Sequence, residues 1–189
     1  MKYVSVDLET TGLNPETCQV LEIGAVAQEL GGDELGRFHI ILMYDELHGS
    51  PFALNMNQRL LKDMTKEGHT PEYDWDDFYE WLRKFKCGLQ NPHGIIAAGK
   101  NFSGFDLPFI EAAAPQVARQ FFRRVLDPAI LYMKVGDEIP PSQATCLERA
   151  GLADVVTHNA VDDAAQVRDL IEYHFNINPM VDPEPSNKE

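Results

Sequence analysis

Cysteine is scarce and scattered: Cys18, Cys87 and Cys146 make an odd count with no close pair. This excludes a disulfide framework and a cysteine-based zinc site, and leaves small, reduced, buried thiols. No apolar run approaches the ~20 residues that a membrane-spanning helix needs, so no membrane partner is expected. The start, "MKYVSVDLETT", enters a strand directly without a cleavable apolar segment. A cytoplasmic location, in a cell or in the cytoplasm of its host, follows as the expectation. Positive charge is also short: 16 basic against 30 acidic residues leave a net charge of −14. A protein that grips long nucleic acid by its backbone shows a basic surface, so broad, tight duplex binding is disfavoured. A salt-adapted acidic surface explains the charge equally well. Internal repeats and an interdomain linker are absent, and 189 residues suffice for one domain with a real core.

What is present reads as α/β. Residues 2–8 alternate and are rich in β-branched side chains, which predicts a strand. Residues 19–30 and 36–45 read as two more, and Gly31, Gly32 and Gly36 between them point to a hairpin. Residues 57–67 read as a helix, and Thr70-Pro71 opens another. There Trp75, Phe78, Tyr79, Leu82 and Phe85 recur at helical spacing. That periodicity favours core packing over base stacking for Trp75 and Trp81. Residues 94–101 form a fourth strand of small residues, suited to a buried position. Helices are expected over 105–114 and 116–125, with a short fifth strand at 125–127. Asp127-Pro128 has the form of a cap followed by a first-turn proline. Ser142 caps a helix to Ala150 that Gly151 ends. The last helix spans 159–174, and 176–189 is a polar, proline-rich tail.

Acidic residues then fall into three motifs. Asp7 and Glu9 in "SVDLETTGL" are two apart on a strand, so they share a face. Neighbouring carboxylates repel unless a cation lies between them, although solvated acids at a strand end also fit. Asp106 closes "GKNFSGFD" at a helix start, where the helix dipole alone would favour an acid. Asn101 is either a substrate contact or ordinary turn chemistry. In "THNAVDDA", Asp163 shares a helix face with Ala160, Val167, Leu170 and Ile171, whereas Asp162 aligns with polar Gln166 and Asp169. Asp163 therefore points inward and needs a partner, for which a metal shared with Asp7 is the best candidate. Together with His158, these acids point to metal-dependent hydrolysis of a phosphodiester.

These motifs resemble those of the DEDD family of 3′–5′ exonucleases, the DnaQ-like enzymes, over roughly residues 2–174. "DLETTGL" looks like its first motif, "NFSGFD" its second and "HNAVDD" its third. The histidine in the third marks the DEDDh branch. The resemblance implies a ribonuclease-H-like fold: a mixed five-stranded sheet flanked by helices, in a domain over 1–175. It implies that Asp7, Glu9, Asp106 and Asp163 hold two Mg²⁺ or Mn²⁺ ions. His158 would take the proton of the attacking water, a role suited to an imidazole of ordinary pKa about 6.5. Thr10, Thr11 and Leu13 would line the pocket for the terminal nucleotide, with Asn101 close by. Phe102 and Phe105 would stack on a base or pack in the core.

The implied activity is release of nucleoside 5′-monophosphates from the 3′ end of single-stranded DNA or short RNA. The implied partner is that single-stranded end, and a homodimer is compatible with the family. An oligoribonuclease-like enzyme and a non-catalytic binding module on the same fold are the alternatives. Lys100 stands where proofreading exonucleases carry a histidine before the asparagine. Arg119, Arg123 and Arg124 on one helix, and Arg59, Lys62 and Lys66 on another, either guide a single strand or form solvated faces.

Overall fold

The computed structural model describes residues 1–67, 71–86, 94–152 and 159–177. Thr70, Cys87, His158 and the tail from 178 onward lie outside the described residues. Three strands open the chain: β1 (Lys2–Thr10), β2 (Val20–Glu29) and β3 (Glu34–Ile41). Both pairings are antiparallel, and the sheet order is β3-β2-β1-β4. β4 (Ala97–Ala98) runs parallel to β1, so the sheet is mixed. β1 and β2 are central and covered on both faces, which is why "VLEIGAVA" is almost continuously apolar.

The two faces carry different layers. Val4, Val6 and Leu8 enter the main core with Phe78, Leu82, Phe102 and Ile110. There α3 (Pro71–Lys86) lays Trp75, Phe78 and Trp81 inward, and Phe38 of β3 meets the Phe78 ring at 5.0 Å. Both tryptophans are core residues, as their periodicity implies. On the other face, Tyr3 packs under Val167 and Ile171 of α8 (Ala160–Ile177). The far half of α8 is fixed by Glu172, which accepts from the Tyr3 hydroxyl and the Gly31 N–H, each at 2.8 Å.

Three expectations change. First, among the described residues the sheet has four strands rather than five. The fifth position is held by one bridge, in which Leu126 N–H donates to Ala97 O at 2.9 Å and Gly99 N–H to Leu126 O at 3.0 Å. Asp127 at once caps α6 (Pro128–Leu131) and Pro128 has no N–H to offer, so the strand stops. Second, the helix expected over 116–125 shrinks to α5 (Pro115–Ala118). Ile95 pairs with the following run instead, donating to Gln120 O and accepting from Phe122 N–H. Arg119, Arg123 and Arg124 therefore do not share a helix. Third, a helix not anticipated, α1 (Pro51–Met56), precedes α2 (Gln58–Glu67). Ser50 caps it and Pro51 fills its first turn.

The other helices follow their local chemistry. α4 (Asp106–Ala113) ends before Pro115. α7 (Gln143–Ala150) starts at Ser142, whose hydroxyl accepts from Thr145 N–H, and ends at Gly151 with φ 71°. Among the described residues, no helix is long and apolar enough to cross a membrane.

Candidate active site

Asp7 and Glu9 leave β1 on the face that α8 covers. Their partners in the β1–β2 register are Gly24 and Glu22. Gly24 decides how close α8 comes: a Cβ there would stand 2.1 Å from both Ala160 C and Val161 N. Only a residue without a side chain lets the helix start rest on the strand. Asp163, one turn into α8, is thereby brought to the two β1 acids. One carboxylate oxygen from each of Asp7, Glu9 and Asp163 lies within 4.8 Å of the others. Asp162 is exposed and its N–H donates to Asn159 Oδ1, so the outward face of the helix carries it.

Asp106 approaches from the other side. It is the first residue of α4, is buried, and its Oδ1 accepts Leu8 N–H at 3.1 Å. That bond ties α4 to the peptide between Asp7 and Glu9. Electrostatics show the four acids as one group. Burial raises Asp7 well above the usual carboxylate range, and Asp106, Asp163, Glu9 and Glu22 add to it. Burial also pushes Asp106 up to about 7. Glu9 is pushed up to about 7 by burial, then by Glu22 and Asp163, against an Asn57 hydrogen bond and the Arg59 charge.

Acids gathered this closely and partly shielded from water disfavour ionisation unless a cation joins them. The donor set is all oxygen, which suits hard divalent ions such as Mg²⁺ or Mn²⁺. The residues present therefore fit the metal that the motifs imply.

A cavity of about 500 Å³ opens beside the acids. Glu9 and Thr10 border it at the strand end, Leu13 and Phe105 flank it, and Phe52 and Met56 of α1 close it. Leu13 is 84% exposed and Phe52 74%, so large apolar side chains stand open to solvent around it. Asn57 also borders it, and its Nδ2 donates to Thr10 O at 3.1 Å.

The remaining sequence candidates divide. Thr11 is fully buried and does not border this cavity; its hydroxyl donates to His48 O and accepts from Gln19 N–H. Asn101 is exposed at φ 58° and does not border the cavity either; its N–H donates to Asp127 Oδ2 at 3.0 Å. Phe102 is buried edge-on against Phe121, while Phe105 borders the cavity. His158 lies outside the described residues. Sequence reasoning missed Glu22, Gly24, Asn57 and Phe52. A lone acid inside an otherwise apolar strand was the available signal for Glu22.

Direct comparison with curated protein sequences gives no match. Among solved structures, the zinc-bound complex of E. coli exonuclease I with single-stranded DNA superposes with a TM-score of 0.68 at 13% identity, over 95% of this chain and 41% of that one. A product-bound structure of exonuclease I gives 0.70 at 11% identity, over 93% and 43%. This chain thus spans less than half the length of exonuclease I. The nuclease domain of 3′hExo, a DEDDh family member bound to rAMP, gives 0.68 at 14% identity over 94% of this chain and 92% of that domain. These likenesses establish the ribonuclease-H-like fold. The exonuclease family typified by RNase T matches residues 4–171, nearly the whole chain, and the protein belongs to this family of DEDD nucleases.

Proposed function

We propose that the chain is a divalent-metal-dependent exonuclease that shortens single-stranded DNA or short RNA from the 3′ end and releases nucleoside 5′-monophosphates. The observation that carries this reading is the double position of Glu9, which belongs to the acid cluster and borders the apolar cavity. A terminal nucleotide held in the cavity brings its own phosphodiester to the acids. The cavity volume lies within the usual range for a small ligand and suits one nucleotide. Exonuclease I was determined with single-stranded DNA and the 3′hExo domain with rAMP, on the same fold, which supports the reading.

Asp7, Glu9, Asp106 and Asp163 would hold two Mg²⁺ or Mn²⁺ ions. When bound, the ions supply stabilisation of phosphoryl charge and a more acidic water. Leu13, Phe52 and Phe105 enclose the terminal base by apolar contact. Asn57 orients Glu9 and joins α1 to the strand end. Thr10 borders the sugar side, while Thr11 acts through the loop it ties down and Asn101 through the turn it shapes. His158 takes the proton of the attacking water at an imidazole nitrogen.

The net charge of −14 favours, as a second reading, an oligoribonuclease-like preference for very short RNA. A short substrate has few phosphates to hold, so little basic surface is needed.

The test uses 5′-labelled single-stranded DNA and RNA from two to twenty-odd nucleotides, with Mg²⁺ or Mn²⁺. A one-nucleotide ladder that vanishes with Asp7→Ala and with EDTA is the expected result. Faster cleavage of di- to pentanucleotides than of longer RNA would select the second reading. No product at any length would leave a binding module on an exonuclease fold.

A further inference from the structure

One buried acid beside the cluster has no part in the reaction above. Glu22 lies on β2 opposite Glu9 and is 1% exposed. A charged group this deep needs partners. One of its oxygens pairs with His39 Nε2 on β3, and the other accepts Ala160 N–H at 3.1 Å. Ala160 is the first residue of α8. Its N–H is one of the donors that a helix start leaves without an intrahelical acceptor, and negative charge there is favoured by the helix dipole. Asn159 Oδ1 takes a second such donor, Asp162 N–H, at 3.2 Å. Two residues along β2 from Glu22, Gly24 admits the next peptide, Ala160–Val161, at close range. The strand therefore holds the helix start twice, by a hydrogen bond and by shape. Asp163 follows directly, its N–H donating to Asn159 O at 3.0 Å.

We propose that Glu22, braced by His39, is a positioning residue that pins the first turn of α8 and so sets where Asp163 stands relative to Asp7 and Glu9. The inference rests on the metal-centre reading and assigns Glu22 no ligand role, because its oxygens face His39 and Ala160. A rival explanation makes Glu22 only one more negative charge that attracts cations. Glu22→Gln separates the two. Glutamine keeps a carbonyl oxygen for Ala160 N–H and turns its amide NH₂ toward a neutral His39 Nε2, but loses the charge. Glu22→Ala loses both.

The experiment compares wild type, E22A, E22Q and H39A as full chains. Amide hydrogen exchange is measured on the metal-free proteins, and Mn²⁺ affinity by calorimetric titration. Loss of a helix-start acceptor by substitution to alanine predicts about tenfold faster exchange at Ala160–Asp163 in E22A. Exchange in β1 should stay within about twofold of wild type, and Mn²⁺ affinity should fall about tenfold, the same factor carried to Asp163. E22Q should stay within about threefold of wild type on both readouts, and H39A should fall between the two. Unchanged first-turn exchange in E22A overturns the proposal. So does an equal loss of Mn²⁺ affinity in E22A and E22Q. If E22A does not fold, H39A decides: it must speed first-turn exchange without touching β1. A wild-type protein that binds no Mn²⁺ would sink the metal-centre reading, and the exchange arm would still decide the role of Glu22.

Discussion

Replacing Gly24 by alanine adds one methyl group where the first peptide of α8 crosses β2. The new carbon would stand 2.1 Å from Ala160 C and from Val161 N. Non-bonded heavy atoms rest near 3.5 Å, so the helix start must retreat by roughly 1.4 Å. The far half of the helix is anchored, since Glu172 holds both the Tyr3 hydroxyl and Gly31 N–H. The helix therefore pivots about Glu172 rather than sliding as a body. At ~1.5 Å of rise per residue, Asp163 lies about three-quarters of the way from pivot to displaced end, and moves by about 1 Å. A displacement of that size in a catalytic constellation lowers turnover by ~10²-fold. The overpacking itself costs ~1–3 kcal/mol, which in a chain of this length lowers Tm by roughly 2–12 °C. The assay is single-nucleotide release at a temperature well below the transition, with Mn²⁺ titration and melting on the same preparations. A Gly24→Ala protein with lowered Tm but wild-type turnover and Mn²⁺ affinity would refute the reasoning. The close approach of α8 would then serve packing and not the placement of Asp163.

The other expected outcomes are more local. In metal-free protein, Glu9 and Asp106 raised to about 7, and Asp7 raised by burial and its acidic neighbours, mean that the folded state keeps protons which the unfolded chain has released. The contribution of these acids to stability is complete below about pH 4 and is lost as pH rises through 7, so Tm should be lower at pH 8 than at pH 5 and saturating Mn²⁺ should remove the difference. Glu34 and Asp137, held low by Arg37 and Arg149, work in the opposite sense only below about pH 4; equal metal-free Tm at the two pH values would contradict the cluster. His158→Ala should cut turnover by ~10²–10⁴-fold and leave Mn²⁺ affinity unchanged, and unaltered turnover would remove it as the general base. Asp163→Ala should abolish Mn²⁺-supported turnover while Asp162→Ala stays near wild type, and the reverse order would mean that the wrong carboxylate faces the site. Leu13→Ala and Phe52→Ala should each raise KM by roughly tenfold, the effect of ~1.4 kcal/mol of lost apolar contact, with kcat little changed; a fall confined to kcat would place the base elsewhere.

Much of this site could be read from spacing because its parts repeat within single elements. Asp7 and Glu9 share a face by strand alternation, and the helix period separates half-buried Asp163 from exposed Asp162. Glu22 could not be read this way, since its partners His39 and Ala160 stand 17 and 138 residues away and no local pattern joins them. α1 was hidden for a different reason: it has no buried residue, so no apolar stripe marks it, and only Ser50-Pro51 announces its start. The run 116–125 reads as a helix, yet pairing with Ile95 takes the backbone of Phe121 and Phe122 out of it. Tertiary pairing overrode local preference there, as it did at the proline-limited fifth strand.

Both ends of α1 are fastened to the backbone where β1 ends, at Thr10 and Thr11. Ser50 N–H donates to Thr11 O at 2.8 Å, and Asn57 Nδ2 donates to Thr10 O at 3.1 Å. The wall of the cavity and the strand that bears Asp7 and Glu9 are therefore one lever, not two parts joined by a loose loop. A terminal nucleotide held as proposed but fitting poorly against Phe52 and Met56 would push on α1, and α1 would pass that push to the carbonyls of Thr10 and Thr11, just beyond Glu9. Discrimination between good and bad ends would then register in the speed of turnover as well as in the grip on the strand.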